Sequence, residues 1–186
     1  MGTPRKHIAS HLQIAYDVSM KRTRENKLAY AAGIVDGEGC IAIYKKPIRN
    51  GQYKGVATNY HLTVVITQKD GKMVDWLYGN FGGSVSLHKK WERPDEKCWA
   101  HEWTINYQNA ANFLKQILPF LVSKKRQAEI AIRFQSRITF GQKLSSHELN
   151  LRAQIADELK AEKRTYTFSQ HENVQRRVRD EHAIVQ

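Results

Sequence analysis

At 186 residues and 41% hydrophobic content the chain can bury the core of one ordinary domain, and its 30 Lys+Arg against 18 Asp+Glu give a formal charge of +12. That surplus selects polyanions, nucleic acid first. Cys40 and Cys98 stand alone, which excludes a thiolate zinc site and a disulfide framework, and no apolar run approaches the roughly 20 residues that cross a bilayer. Two free thiols without an apolar signal core predict a reducing compartment, a prokaryotic cytoplasm or an organelle rather than secretion.

The first 24 residues are basic, with the single acid Asp17, and predict a short lead-in helix within an N-terminal extension over 1–26. Asn26 is a candidate N-cap for a helix from Lys27 to Asp36, which Gly37 and Gly39 should stop. From Cys40 the period changes to two: Ile41 and Ile43 share one face, Ala42, Tyr44 and Lys46 the other. After the turn-rich 47–55 a second strand puts Tyr60, Leu62, Val64 and Ile66 opposite Asn59, His61, Thr63 and Thr67. A helix is predicted over 71–81, ended by Gly82 and Gly83, followed by a hairpin of strands over 84–91 and 98–107, with Val85 and Leu87 opposite Ser86, His88 and Lys90. Helical spacing then gives 111–118, 123–138 and 146–163, before a polar, basic tail over 164–186.

This order, helix, two strands, helix, two strands, helices, predicts an α+β domain over 27–163: a four-stranded antiparallel sheet covered on one face by helices, its other face free. The free face should carry the amides, hydroxyls and cations. Between Gly39 and Lys69 there is no Asp or Glu, but there are Lys45, Lys46, Arg49, Lys54 and Lys69, so one surface should be strongly positive. Trp76, Trp99 and Trp103 have apolar neighbours and are expected in the core.

One stretch needs a further account. Ala29, Ala31, Ala32 and Gly33 make a thin helix whose backbone could approach another closely. A buried helix in a crowded core would explain the alanines but not the Asp-Gly-Glu-Gly at its end, and a Glu between glycines is ordinarily a solvated turn residue. The run Ala31-Ala32-Gly33-Ile34-Val35-Asp36-Gly37-Glu38-Gly39 resembles the nine-residue signature of the LAGLIDADG homing endonucleases, and the element order from Leu28 to Ile138 is similar to that family's αββαββα core.

The resemblance implies a site-specific double-stranded DNA endonuclease, intron-encoded, that cuts a long near-palindromic target to leave 3′ overhangs. In the family the acid at the eighth position lies at the centre of a DNA-binding saddle; Glu38 holds it here. Glu38 and the Gly37 carbonyl are then the implied ligands of Mg²⁺, with Mn²⁺ a substitute and Ca²⁺ supporting binding without cleavage. With one signature in the chain, the resemblance implies a homodimer joined through Ala29, Ala32, Gly33 and Asp36, the last of these having a structural role near the helix end. Two local matches add catalytic residues: Gln68 and Lys72 in Thr67–Lys72, and Lys124, with Lys125 as the alternative, in Leu118–Ala128. Lys72 stands where Arg is frequent and cannot make a bidentate phosphate contact.

Base-reading groups are expected on the polar strand faces: Tyr44, Lys46, Asn59, His61, Thr63, Ser86, His88 and Lys90. A non-cleaving RNA-splicing maturase or DNA-binding protein on the same fold is the alternative, with RNA as partner. A histidine-metal nuclease would need clustered His or Cys, which eight dispersed histidines do not supply.

Overall fold

A computed structural model describes residues 5–47, 58–93, 96–138 and 145–164, with side chains over 22–46, 60–87, 99–138 and 145–164. The elements follow as α1 (Arg5–Glu38), β1 (Gly39–Pro47), β2 (Thr58–Gln68), α2 (Gly71–Phe81), β3 (Ser84–Arg93), β4 (Glu96–Asn106), α3 (Tyr107–Ile117), a short 3₁₀ turn (Leu118–Phe120), α4 (Lys125–Ser136) and α5 (Ser146–Arg164). The turn-rich segment after Pro47 and the C-terminal tail lie outside the described residues.

The four strands form one antiparallel sheet in the order β1-β2-β4-β3. Two sequential hairpins are thus joined through their second strands, β2 and β4, as period-two patterning with one apolar face requires. Ile41 pairs with Val64, Val64 with Ile105, and Ile66 with Trp103, so the apolar residues of three strands share a face. All five of these side chains are buried against Ala31, Ala32 and Val35 of α1, Leu77 of α2, Phe113 and Leu114 of α3, and Phe134 of α4. Trp103 anchors this core: it is fully buried, meets Phe113 edge to face with centroids 5.2 Å apart, and donates its indole N–H to the Gly82 carbonyl at 2.7 Å. The link from α2 to β3 needs glycine at that point. Gly83 has φ +94°, and a Cβ there would lie 2.6 Å from the Thr104 carbonyl oxygen.

The structure corrects several expectations. α1 does not begin at Asn26; the lead-in and motif helices are one continuous helix from Arg5, because no Pro or Gly interrupts the stretch between them. β4 ends at Asn106, and Tyr107, expected in the strand, opens α3 with a left-handed φ of 56°. Trp99 is 48% exposed, whereas Trp76 is half-buried and Trp103 buried. Although Trp99 lies on the apolar side of β4, it stands beyond the part of the sheet that the helices cover, as do exposed Val85 and Leu87 on β3.

Candidate functional site

The site is built where α1 ends and the sheet begins. Glu38 is the last residue of α1 and is exposed, as is Gly37. A helix end leaves backbone carbonyls without intrahelical donors, and it carries partial negative charge. Lys124 answers both needs: its ammonium donates to the Val35 carbonyl at 2.9 Å and to the Asp36 carbonyl at 2.7 Å. Asp36 returns the contact. Its two carboxylate oxygens accept the backbone N–H of Val122 at 2.7 Å and of Lys124 at 2.8 Å. The loop between the 3₁₀ turn and α4 is thereby fastened to the last turn of α1. Burial pulls the Lys124 ammonium below the ordinary lysine value; Asp36, Cys40 and Glu38 oppose that shift, and Lys163 adds to it. Lys125, the alternative, is exposed at the start of α4 and makes none of these contacts.

Gly39 is the tight point of the motif. A Cβ there would stand 2.7 Å from the Val35 carbonyl oxygen and 2.8 Å from its Cα, so only glycine lets the chain turn from helix to strand this closely. At Gly33 and Gly37 a Cβ would meet nothing within 4 Å. Ala29 and Gly33 are exposed on one side of α1; Ala32 is fully buried in the protomer's own core. The small residues open to another helix are therefore Ala29, Gly33 and Gly37. Ala32 faces inward, and the Asp36 carboxylate is engaged within the chain.

Gln68 ends β2, half-buried, two residues beyond Ile66, whose partner on β1 is Gly39. Its partner on β4 is His101, a residue the sequence reading passed over. The His101 ring packs on Gly71, 3.0 Å from where a Cβ would be, and so lies over the first turn of α2. Lys72 sits in that turn with its side chain exposed; its backbone N–H donates to the Asp70 carboxylate at 2.9 Å, the N-cap of α2. The structure thus joins Gly37, Glu38 and Lys124 through the end of α1 and places Gln68 on the strand beside β1. No described contact links Lys72 to them.

On the free face of the sheet, Tyr44 pairs with His61, Lys46 with Asn59, Ser86 with Glu102 and His88 with Ala100. Tyr44, Lys46 and Ser86 are exposed; the side chains of Asn59, His88 and Lys90 lie outside the described residues. Two positions differ from the expectation. Thr63 is only 4% exposed and its hydroxyl donates to Asn106 Oδ1 at 2.7 Å, which leaves it unavailable to a base edge. Lys90 stands in a β-bulge between the Lys89–Trp99 and Trp91–Cys98 pairs, so strict alternation does not carry through it.

Tyr107, also missed, adds to this face. Its ring lies 5.6 Å from that of His61, which lies 5.8 Å from that of Tyr44. His61 is held below the ordinary histidine range by burial and by the Lys46 charge, and its Nδ1 is buried without a hydrogen-bond partner among the described residues. Burial, then Cys40 and Glu102, raises Tyr44. The face therefore groups an imidazole with two phenols, beside a lysine. No positional signal in the sequence marks the left-handed start of α3 that brings Tyr107 there.

An α+β protein with a β1-β2-β4-β3 sheet, helices on one face and an acidic helix end at its edge is defined by these features. The fold is that of the LAGLIDADG homing endonucleases. The homing endonuclease I-CvuI in complex with the I-CreI target, at 2 mM Mg and with its DNA not cleaved, superposes with a TM-score of 0.60 and 19% identity over 75% of this chain and 83% of that one. The archaeal intron-encoded homing endonuclease I-Vdi141I complexed with DNA gives 0.59 and 21% identity over 74% and 84%. The I-LtrWI LAGLIDADG homing endonuclease bound to target DNA gives 0.50 and 18%, over 69% of this chain and 42% of that longer one. No family model matches the sequence, and no curated protein matches it. The likeness is carried by the fold.

Proposed function

We propose that this chain is a LAGLIDADG homing endonuclease that acts as a homodimer on double-stranded DNA and hydrolyses one phosphodiester in each strand. The observation that carries this reading is the exposed Glu38 at an α1 end fastened by Asp36 and Lys124, beside a sheet whose free face bears Tyr44, Lys46 and His61. A carboxylate held at the rim of a basic surface, where a phosphate would lie, needs a cation between the two negative groups.

The donor set fits Mg²⁺. Among the described residues no three His, Cys, Asp or Glu gather into a protein cage. Mg²⁺ rarely uses one; it is held by one or two carboxylates together with phosphate oxygens and water. Glu38 would supply the carboxylate and Gly37, with open space where a Cβ would lie, its carbonyl. Mn²⁺ would serve in the same place, and Ca²⁺ would support binding without cleavage. When bound, such an ion activates water and stabilises the leaving oxygen. Gln68 orients the attacking water from the end of β2. Lys124 keeps the helix end, and with it Glu38, in place. Two α1 helices would meet over Ala29, Gly33 and Gly37 and so set the two Glu38 residues near a shared axis, one for each strand of a near-palindromic site.

Selection from a plasmid library of randomised duplexes, with Mg²⁺ and then Ca²⁺, tests this. Linearised plasmid carrying a common site is expected with Mg²⁺, and retained binding without cutting with Ca²⁺. Glu38→Gln should lower cutting by orders of magnitude and leave Ca²⁺ binding nearly unchanged. If the unaltered protein binds its selected duplex but never cuts it, the DNA-binding or maturase alternative replaces the nuclease.

A further inference from the structure

α5 is absent from the αββαββα pattern that the sequence pointed to, yet its last turn reaches the same helix end. Along α5 the inward stripe runs Arg152, Ala156 and Leu159, all buried, and its next member, one turn on, is Lys163. That position ends the stripe at the surface with a cation rather than an apolar residue. Here α5 packs on β1, and the Lys163 ammonium stands 3.5 Å from Cys40 Sγ. Cys40 is two residues beyond Glu38.

The two cations at this place differ in what they have left to give. The Lys124 ammonium already donates to the Val35 and Asp36 carbonyls at 2.9 and 2.7 Å. Lys163 is exposed, and its one described contact is to a thiol sulfur, a weak acceptor at the long end of hydrogen-bond range. Elsewhere on this helix Lys160 is paired with Asp157 at 3.2 Å. Lys163 is thus the lysine at the end of α1 with donors to spare, and it is close enough for its charge to be felt at Lys124.

We propose that Lys163 is a phosphate-contacting cation of the cleavage site, supplied by α5 to the DNA strand that Glu38 addresses. This rests on the nuclease reading above. A phosphodiester brought against Glu38 meets a carboxylate first, and an ammonium beside Cys40 offsets that repulsion with charge-assisted N–H···O contacts. It carries no sequence information. Its effect belongs to the rate of cutting and to the salt dependence of binding.

The test compares wild type, K163Q, K163A and K163R on the selected duplex under single-turnover conditions with protein in excess. Cleavage by K163Q and K163A should fall on the order of 10²-fold, the loss typical of one donor at a developing charge. K163R, which keeps the cation, should recover most of it. The slope of log affinity against log salt, read in Ca²⁺, should fall by about 0.9 for each subunit in K163Q and K163A. Melting temperatures should not move, since the side chain is exposed, and this separates a phosphate contact from a packing role. A K163A protein that cuts at the wild-type rate overturns the assignment. If wild type itself cuts nothing in the library, the nuclease reading fails on its own; the slope on a mixed-sequence duplex then decides Lys163, a fall supporting the phosphate contact and an unchanged slope overturning it.

Discussion

Asp36→Ala isolates the device that fixes the end of α1. The substitution removes two acceptors and leaves the backbone carbonyl that Lys124 uses. One lost bond, from the Val122 N–H at 2.7 Å, is exposed; the other, from the Lys124 N–H at 2.8 Å, is partly buried. Hydrogen bonds to charged groups contribute about 1.5–3 kcal/mol each; neither of these is fully buried, so both fall at the low end and the pair should be worth about 3 kcal/mol. For a chain of this size each kcal/mol moves the midpoint by roughly 2–4 °C, which gives a fall of about 6–12 °C. Thermal unfolding at neutral pH, at one fixed protein concentration because any association makes the midpoint depend on it, measures this. Asp36→Asn keeps one acceptor and turns an N–H₂ toward the other donor, so it should lose at least half as much. Asp36 and Lys124 share one network, and combining Asp36→Ala with Lys124→Met should show a coupling of about 1 kcal/mol or more. An Asp36→Ala protein melting within about 2 °C of wild type would refute the fastening.

The other predictions separate the roles of neighbouring groups. Gly39→Ala should cost about 1–3 kcal/mol of stability in a urea titration, because its Cβ meets the Val35 backbone at 2.7–2.8 Å and cannot be relieved by a side-chain shift. A Cβ at Gly33 meets nothing within 4 Å in the protomer, so Gly33→Leu should leave a folded chain, seen by circular dichroism, that sediments as a monomer. In Arg137–Glu148–Arg152, hydrogen bonds from Arg137 chiefly, and also from Arg152, hold Glu148 below its ordinary 4.5. Its stabilisation is fully present above that value and is lost as pH falls through the folded one; Glu148→Gln should flatten this acid limb of the stability curve. His61 has the opposite origin and the same slope. Its folded pKa lies below 6.5, so the unfolded chain takes the proton first, its contribution to stability is fully present above 6.5 and declines as pH drops beneath it, and His61→Phe should remove that decline.

What could be read from sequence divides by the range of the physics. Periodicity is local, and it placed α2 at its observed bounds, the core face of β1 and β2, and the free-face positions of Tyr44 and His61. The Asp-Gly-Glu-Gly run located the helix end for a related reason: a close turn such as the one at Gly39 leaves a mark in composition. Contacts made through space leave none. Nothing in the spacing of Lys163, more than a hundred residues from Cys40, connects the two, and nothing near Tyr107 announces a left-handed backbone that turns its ring toward His61. Alternation also fails where the backbone adds a residue, as at Lys90, and it does not reveal a neighbour that claims a hydroxyl, as Asn106 does with Thr63.

The same division bears on how the site could vary within this fold. Glu38 is set by α1, and the fastening at Asp36 and Lys124 is set by α1 and the loop before α4. Lys163 comes from α5, which packs on that core through Ala156 and Leu159. Sliding or rotating α5 by one residue would move Lys163 by 1.5 Å and about 100° and withdraw it from Cys40 without touching Glu38. The position of Glu38 is therefore set by α1, while that of the Lys163 ammonium depends on the packing of one peripheral helix. Substitutions at Ala156 or Leu159 that keep the chain folded should weaken the Lys163 contribution selectively. Cleavage in such a variant should be insensitive to K163A, and a full additional loss on adding K163A would show that α5 does not set the position of the ammonium.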